Sequence, residues 1–528
     1  MKHILASAIL IVSAAVGALA DLYPRQPAVD VVHYDISLEL TDFSDTVTAI
    51  TQVHVRARED GLSRMWLDFE DMKVDRLSVG GVETPFEHRG GRLSFGLGKT
   101  YSRNEILVIE VRYHGRPKSG MVFGTNSLGR RVLFTDCWPD RAHHWFPSID
   151  HPSDKATVDI TVTAPEKYDV VSNGRLVQTL SLLDGRRRTQ WSESRPIPTY
   201  SVAVGVAEFS VCYNGDTDGV PLVWYSYPPH AEAAERKFRR TALALDYFRR
   251  TIGPYPFEKL AQVEAVLKTG AMENAGAIFY DESHFLGDAI SEYPVPHEIA
   301  HQWFGNSVTP ADWDHLWLSE GFASYFEALF YEHLAGIDAL RQIMASYAGK
   351  VEQYPQAGTR PVIDPGMPDL MLKLNPLTYE KGAWILHMLR GILGDETFFR
   401  GIRRYYELYQ GANASTEDFR MVMEWVSGKD LGVFFRQWLY RPASPEYRVS
   451  WRWDEAAGEA IVDVRQVQTE GLFDMPLEIA FCLNERCEKH RFRVAEPFKT
   501  LRVPLAAEPS SVEIDPEGWV LKRLSGPE

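Results

Sequence analysis

The residues best suited to chemistry are His297, Glu298 and His301, in the run His297-Glu298-Ile299-Ala300-His301. On a helix, positions i and i+4 share a face, so both imidazoles can address one ion. Glu298 stands beside them, where a carboxylate can take a proton from water at that ion. A catalytic zinc takes three protein ligands and keeps a fourth position open. Eighteen residues separate His301 from Glu320, at the start of a second helical stretch, and that carboxylate completes a His₂Glu set. The bland reading is two surface histidines and a helix-start acid. It sits poorly with Trp303-Phe304 after the motif and with Trp317 and Phe322 around Glu320.

The elements that must hold these residues follow from hydrophobic period. Residues 33–40 and 156–162 alternate apolar and polar side chains, and Gly80-Gly81, Gly90-Gly91 and Asn173-Gly174 punctuate such runs as turns. This predicts an antiparallel β domain over 21–213. The period then becomes helical, with stretches at 231–251, 296–305, 319–334, 380–393 and 417–426, and a strand at 260–266. A mostly helical catalytic domain is expected over 214–445. Pro442 and Pro445 mark its end, and alternation returns in 447–453, which predicts a small β-sandwich over 446–528. The fold class is therefore multidomain α+β.

A chain of 528 residues with 45% hydrophobic and 24% charged residues has ample core for several domains. Its formal net charge of −16 disfavours nucleic acid and anionic membrane surfaces as partners, because both call for clustered Lys and Arg. Residues 1–20 read as a signal peptide. Lys2 and His3 precede an apolar run at 4–16, and Ala18-Leu19-Ala20 is a small-x-small cleavage site. The run is short for a bilayer, which needs about 20 residues, so stable membrane insertion is not expected. The expectation is an exported protein, periplasmic or secreted.

Export would place Cys137, Cys212, Cys482 and Cys487 in an oxidising compartment, where an even count suggests disulfides. Cys482 and Cys487 flank four residues between two strand-like runs, a spacing that suits a hairpin cross-link. Cys137 with Cys212 is the pairing left over, with its geometry open. A zinc site of cysteines is disfavoured by the lack of any CxxC.

With these residues in view, the chain resembles the M1 family of zinc metallopeptidases. HExxH-x18-E stands as His297 to Glu320, the exopeptidase motif GAMEN as Gly270-Ala271-Met272-Glu273-Asn274, and the YEKG block as Tyr379-Glu380-Lys381-Gly382. Further matching blocks are Val32-His33-Tyr34-Asp35, Phe146-Pro147-Ser148-Ile149-Asp150, Pro254-Tyr255-Pro256-Phe257 and Trp438-Leu439, in the family's order. The resemblance implies a thermolysin-like catalytic domain with one Zn²⁺ per chain, held by His297, His301 and Glu320. It implies Glu298 as general base, Tyr379 as donor to the oxyanion, and Glu273 as carboxylate partner of the substrate's ammonium. Gly270 and Ala271 would pair with the substrate as an added strand. The expected partners are peptides with a free amino terminus.

The chain departs from the family's pattern in places. Thr135-Asp136-Cys137-Trp138-Pro139 stands where relatives carry a Gln and, two residues on, a Glu or Gln that also binds the amine. The usual second anchor is therefore missing, and its replacement is either the Asp136 carboxylate or the ring face of Trp138. Ser319 replaces a common Asn, and His151 a common Glu. The sequence ends after the expected sandwich, where many relatives continue into a helical domain, so a more open cavity is expected. Epoxide hydrolysis by the same zinc, or a non-catalytic binding role, are the competing readings. The first has no residue here that singles it out, and the second sits badly with a complete set of His297, Glu298, His301, Glu320 and Tyr379.

Overall fold

The computed structural model describes residues 21–268, 270–287, 291–365, 367–483 and 486–526. The leader-like segment 1–20 lies outside the described residues. The chain starts in β structure, as the alternation requires. Val29–Glu39 buries every second side chain, among them Val31, Ile36 and Leu38, against Val53, Val55, Ile109, Val111, Val158 and Ile160. These strands form an eight-stranded sheet, accompanied by a three-stranded sheet around Leu62–Asp68 and a four-stranded sheet containing Arg131–Asp136. The expectation of a purely antiparallel domain is corrected at one place. Val29–Glu39 and Lys155–Pro165 run parallel, with Tyr34 opposite Val158. A parallel neighbour needs a long crossover, and the intervening strands supply it.

A five-stranded sheet follows, in which Ser210–Thr217 pairs with Val220–Ser226, then Leu260–Ala265 and Ala277–Asp281, and ends on the short edge strand Ala271–Met272. Helices pack on it. The sequence stretch 231–251 is two helices, Ala231–Phe238 and Thr241–Thr251, parted at Arg239-Arg240. Trp317–Ala335 is the central helix. Every residue from Trp317 to Phe330 is buried, Leu318, Phe322, Tyr325, Phe326 and Leu329 among them, so the helix is enclosed on all sides over that length. Helices Ile337–Gln353, Asp395–Tyr409 and Gly432–Leu439 add to the bundle without having been singled out from sequence.

The last strands form a four-stranded and a three-stranded sheet that share one core of Tyr447, Val462, Leu477, Ile479, Phe481 and Leu501. His387 stacks on Trp519 at 4.6 Å and ties this unit to the helix Gly382–Leu393. Cys482 and Cys487 sit opposite each other in the hairpin register and are cross-linked. The leftover pairing is overturned, because Cys137 and Cys212 are free. Cys137 is buried and accepts the Trp145 indole N–H at 3.2 Å, while Cys212 is exposed on the outermost strand of a different sheet.

Candidate active site

His297 lies on the one-and-a-half-turn helix Val295–Ala300, with Glu298 beside it and His301 at its C-terminal cap. The Nε2 atoms of His297 and His301 are 3.0 Å apart. Oε2 of Glu320 lies 3.4 Å from the first and 3.3 Å from the second. All three side chains are buried, and that carboxylate oxygen receives no hydrogen bond among the described residues. Two imidazole nitrogens and a carboxylate oxygen facing one another this closely form a donor set for one cation. A tetrahedral zinc with ligand distances of about 2.1 Å has ligand–ligand edges of about 3.4 Å. The three donors therefore fit zinc in both spacing and type. Behind them, Glu327 Oε2 is 3.8 Å from Nδ1 of His297. Burial would raise the Glu320 carboxyl, but the His301 and His297 rings together outweigh it and lower the group to about 2. Burial raises Glu298 well above the ordinary carboxylate range.

Tyr379 reaches the same place through backbone geometry. Residues Leu377–Lys381 form a π-helical turn leading into the helix Gly382–Leu393, an insertion often found at functional sites. Gly382 lies against Gly321, the residue after Glu320. A Cβ on Gly321 would stand 2.8 Å from the Gly382 Cα, so only glycines allow this approach. The Tyr379 ring then lies nearly parallel to His297, with centroids 6.0 Å apart. Burial, followed by the Glu320 charge, lifts its phenol well above the ordinary value, so it stays protonated and able to donate.

The Gly270–Asn274 run supplies another wall. Ala271–Met272 pairs on one side only, with Ala277–Asp281, and borders the cavity as a sheet edge. The carbonyl of Glu273 accepts hydrogen bonds from Gln302 Nε2 at 3.0 Å and Asn306 Nδ2 at 2.6 Å. Gln302 Oε1 in turn receives the Gly276 N–H at 2.8 Å. This loop is thus tied to the histidine-bearing segment. Burial pushes the Glu273 carboxyl up to about 7.

A cavity of about 320 Å³ joins these parts. It is lined by His297, Glu298, His301, Glu320, Tyr379, Gly270, Ala271, Met272 and Glu273, together with Asp136 and Trp138 from the β-rich half. Asn274 is buried outside that lining, and its side-chain amide has no hydrogen-bond partner among the described residues. Asp136 is 2% exposed and bonds through Oδ1 to Arg141 at 2.5 Å, while its Oδ2 is unpartnered. Arg141 also donates to the Trp138 carbonyl at 2.6 Å, and the Trp138 ring meets Trp313 edge-on at 5.6 Å. Sequence reasoning missed Arg141, Gln302, Asn306 and Glu327. Gln302 and Asn306 stand within five residues of His301 and could have been found there. Arg141 carries no local signal.

Two family models match the chain. A model of the peptidase family M1 domain matches residues 236–438, and a model of the peptidase M1 N-terminal domain matches residues 31–201. The chain belongs to peptidase family M1. A glutamyl aminopeptidase of Bitis rhinoceros is 29% identical over 460 residues, covering 79% of this chain and 47% of its own length. The human glutamyl aminopeptidase is 29% identical over 460 residues, covering 80% and 47%. An aminopeptidase N of Streptomyces lividans is 28% identical over 445 residues, covering 79% and 50%. The chain spans about half the length of the curated relatives it matches.

Proposed function

We propose that the protein is a zinc-dependent aminopeptidase that removes N-terminal residues from peptides. The observation that carries this reading is one cavity lined at once by the His297, His301 and Glu320 donors, by Glu298 and Tyr379, and by the amine-binding candidate Glu273. The relatives' names, glutamyl aminopeptidase and aminopeptidase N, point the same way. His297, His301 and Glu320 would hold a zinc ion, which would supply Lewis-acid polarisation of the scissile carbonyl and acidify a water molecule. Glu298 takes the proton of that water and passes it to the leaving amine, a task suited to a carboxyl whose proton affinity is raised by burial. The Tyr379 phenol donates to the developing oxyanion. The Glu273 carboxylate receives the substrate's ammonium, and the open edge at Ala271–Met272 pairs with its backbone.

The reading also takes the helical half as thermolysin-like and the C-terminal strands as a β-sandwich, with units 21–213, 214–445 and 446–528. It takes the protein as exported, on the leader-like residues 1–20. The Cys482–Cys487 cross-link suits an oxidising compartment. Among the described residues, no helix is long and apolar enough to cross a membrane. The deciding experiment is a panel of aminoacyl fluorogenic amides assayed with zinc-loaded and chelator-stripped protein, with free and N-acetylated substrates. Zinc-dependent cleavage of the free-amine series alone is expected. Equal turnover by stripped protein, or of blocked substrates, overturns the reading.

A further inference from the structure

Imidazoles and a carboxylate converge at a second place, in the β-rich N-terminal half. His143 and His144 close the short 3₁₀ turn Ala142–His144, and Glu70 follows the strand Leu62–Asp68. One ring nitrogen of each histidine and one carboxylate oxygen of Glu70 lie within 4.8 Å of one another. The two rings stack with centroids 4.5 Å apart, and Nε2 of His143 is 3.7 Å from Oε2 of Glu70. Backbone bonds hold the segments in place independently of these side chains. Glu70 donates to the His143 carbonyl at 3.0 Å, and Asp68 and Ser148 exchange two bonds at 2.8 and 3.1 Å.

Nδ1 of each ring is already spoken for. Nδ1 of His143 is 2.7 Å from Asp150, which is itself fixed by the His143 N–H at 3.0 Å and the Thr199 hydroxyl at 2.7 Å. Nδ1 of His144 is 2.6 Å from Asp71, which also pairs with Lys118 at 2.7 Å. A carboxylate that accepts the Nδ1 proton leaves the Nε2 lone pair free, the arrangement that stands behind metal-bound histidines. Asp71, Asp150 and Glu70 set three carboxylates against the one ammonium of Lys118, a balance that favours a dication. The Glu70 side chain is 50% exposed, so an ion has access from solvent. The same exposure lets Glu70 swing to close the ligand set to edges of about 3.4 Å.

We propose that His143, His144 and Glu70 form a second metal site, separate from the catalytic one, for a zinc-class divalent ion. Two imidazoles, one carboxylate and a position left to water suit zinc and its first-row neighbours. Calcium and magnesium want all-oxygen shells. The ion clamps the strand end at Asp68–Glu70 to the turn that follows Trp138 and Arg141, two residues of the cavity wall. Loading is measured near pH 8, above the ordinary imidazole pKa of about 6.5.

The test is metal stoichiometry of the full-length chain, stripped with chelator, dialysed against buffered Zn²⁺ at pH 8 and measured by mass spectrometry of the elements. Two zinc ions per chain are expected for the parent. One is expected for Glu70→Gln/His144→Gln, one for His301→Ala/Glu320→Ala, and none when all four are combined. Glu70→Gln alone alters a half-exposed side chain and keeps the fold, so at least a tenfold weaker second binding step in that variant decides the matter should the double variant misfold. A parent that binds one zinc, or a Glu70→Gln/His144→Gln variant that binds as many as the parent, overturns the proposal. Because the stoichiometry is read without substrate, the outcome stands apart from that of the aminopeptidase assay.

Discussion

The hydroxyl of Ser319 stands 3.0 Å from Nδ1 of His301, next to the Phe304 carbonyl at 3.1 Å from the same atom. The two oxygens orient the ring so that Nε2 faces Glu320. Loss of an outer partner of a metal-bound histidine typically weakens metal binding about 10–100-fold. Here the carbonyl remains after Ser319→Ala, so the expected loss is at most about tenfold, at the low end of that range. Competition with a chromogenic chelator measures it, and a loss of about a hundredfold would show that the carbonyl does not hold the ring by itself.

Glu298→Gln should keep zinc while kcat falls by about 10²–10⁴, the usual contribution of a positioned general base. An amide cannot accept the proton, yet the three ligand atoms are unchanged. Metal content and turnover measured on one preparation separate the effects. A variant that loses zinc would place Glu298 in metal binding.

Tyr379→Phe should lower kcat by about 10²–10³ with little change in KM, as expected for an oxyanion donor. Gly382→Ala tests how the tyrosine is placed. A Cβ on Gly382 would come within 2.9 Å of the Gly321 Cα, so the π-turn segment must shift away from Glu320. Overpacking of this kind costs about 1–3 kcal/mol, readable as a lower urea midpoint, and kcat should fall with it. Unchanged kcat in Gly382→Ala would mean that the glycine contact does not set the tyrosine's position.

Glu273→Gln should raise KM for free-amine substrates, because the neutral amide loses the charge that meets the ammonium. Asp136→Asn should raise KM while largely sparing kcat if the unpartnered Oδ2 also meets the amine. Asp136 also holds Arg141, so Arg141→Gln is the control. A KM effect shared by Asp136→Asn and Arg141→Gln would assign Asp136 to shaping the wall. Trp138→Leu should leave KM unchanged if its ring serves only to pack on Trp313.

Asp154 offers a pH test away from the metal. Burial pushes its carboxyl up to about 8, with Oδ2 accepting the Val31 N–H at 3.2 Å and Oδ1 unpartnered. The folded state thus holds a proton that the unfolded chain releases near pH 4. Stability supplied by the neutral acid is present at low pH and lost as pH rises through about 8. Asp154→Asn keeps a neutral side chain, so its Tm relative to the parent should climb between pH 5 and pH 8. A difference that does not change with pH would show that Asp154 is ionised throughout.

Much of this protein is legible from sequence because the governing interactions are local. Helical period puts His297 and His301 on one face, and strand alternation marks Val29–Glu39 and Glu446–Asp454 as half-buried ribbons. The Cys482–Cys487 cross-link joins residues that a hairpin makes neighbours. The motif order along the chain carries the family. What the tertiary structure decided joins residues distant in sequence, where no period leaves a trace. Tyr34 beside Val158 makes a parallel pair inside a sheet read as antiparallel. Gln302 grips the Glu273 carbonyl, and Gly382 sinks against Gly321 to bring Tyr379 over His297. Arg141 binds one oxygen of the Asp136 carboxylate that the sequence offered to substrate, and Cys137 and Cys212 stay apart and free. Glu70 meets His143 and His144 only because Asp68 pairs with Ser148. Side-chain type and spacing prescribe which groups can act along one element, but which groups meet across elements is set by the packing of the whole chain.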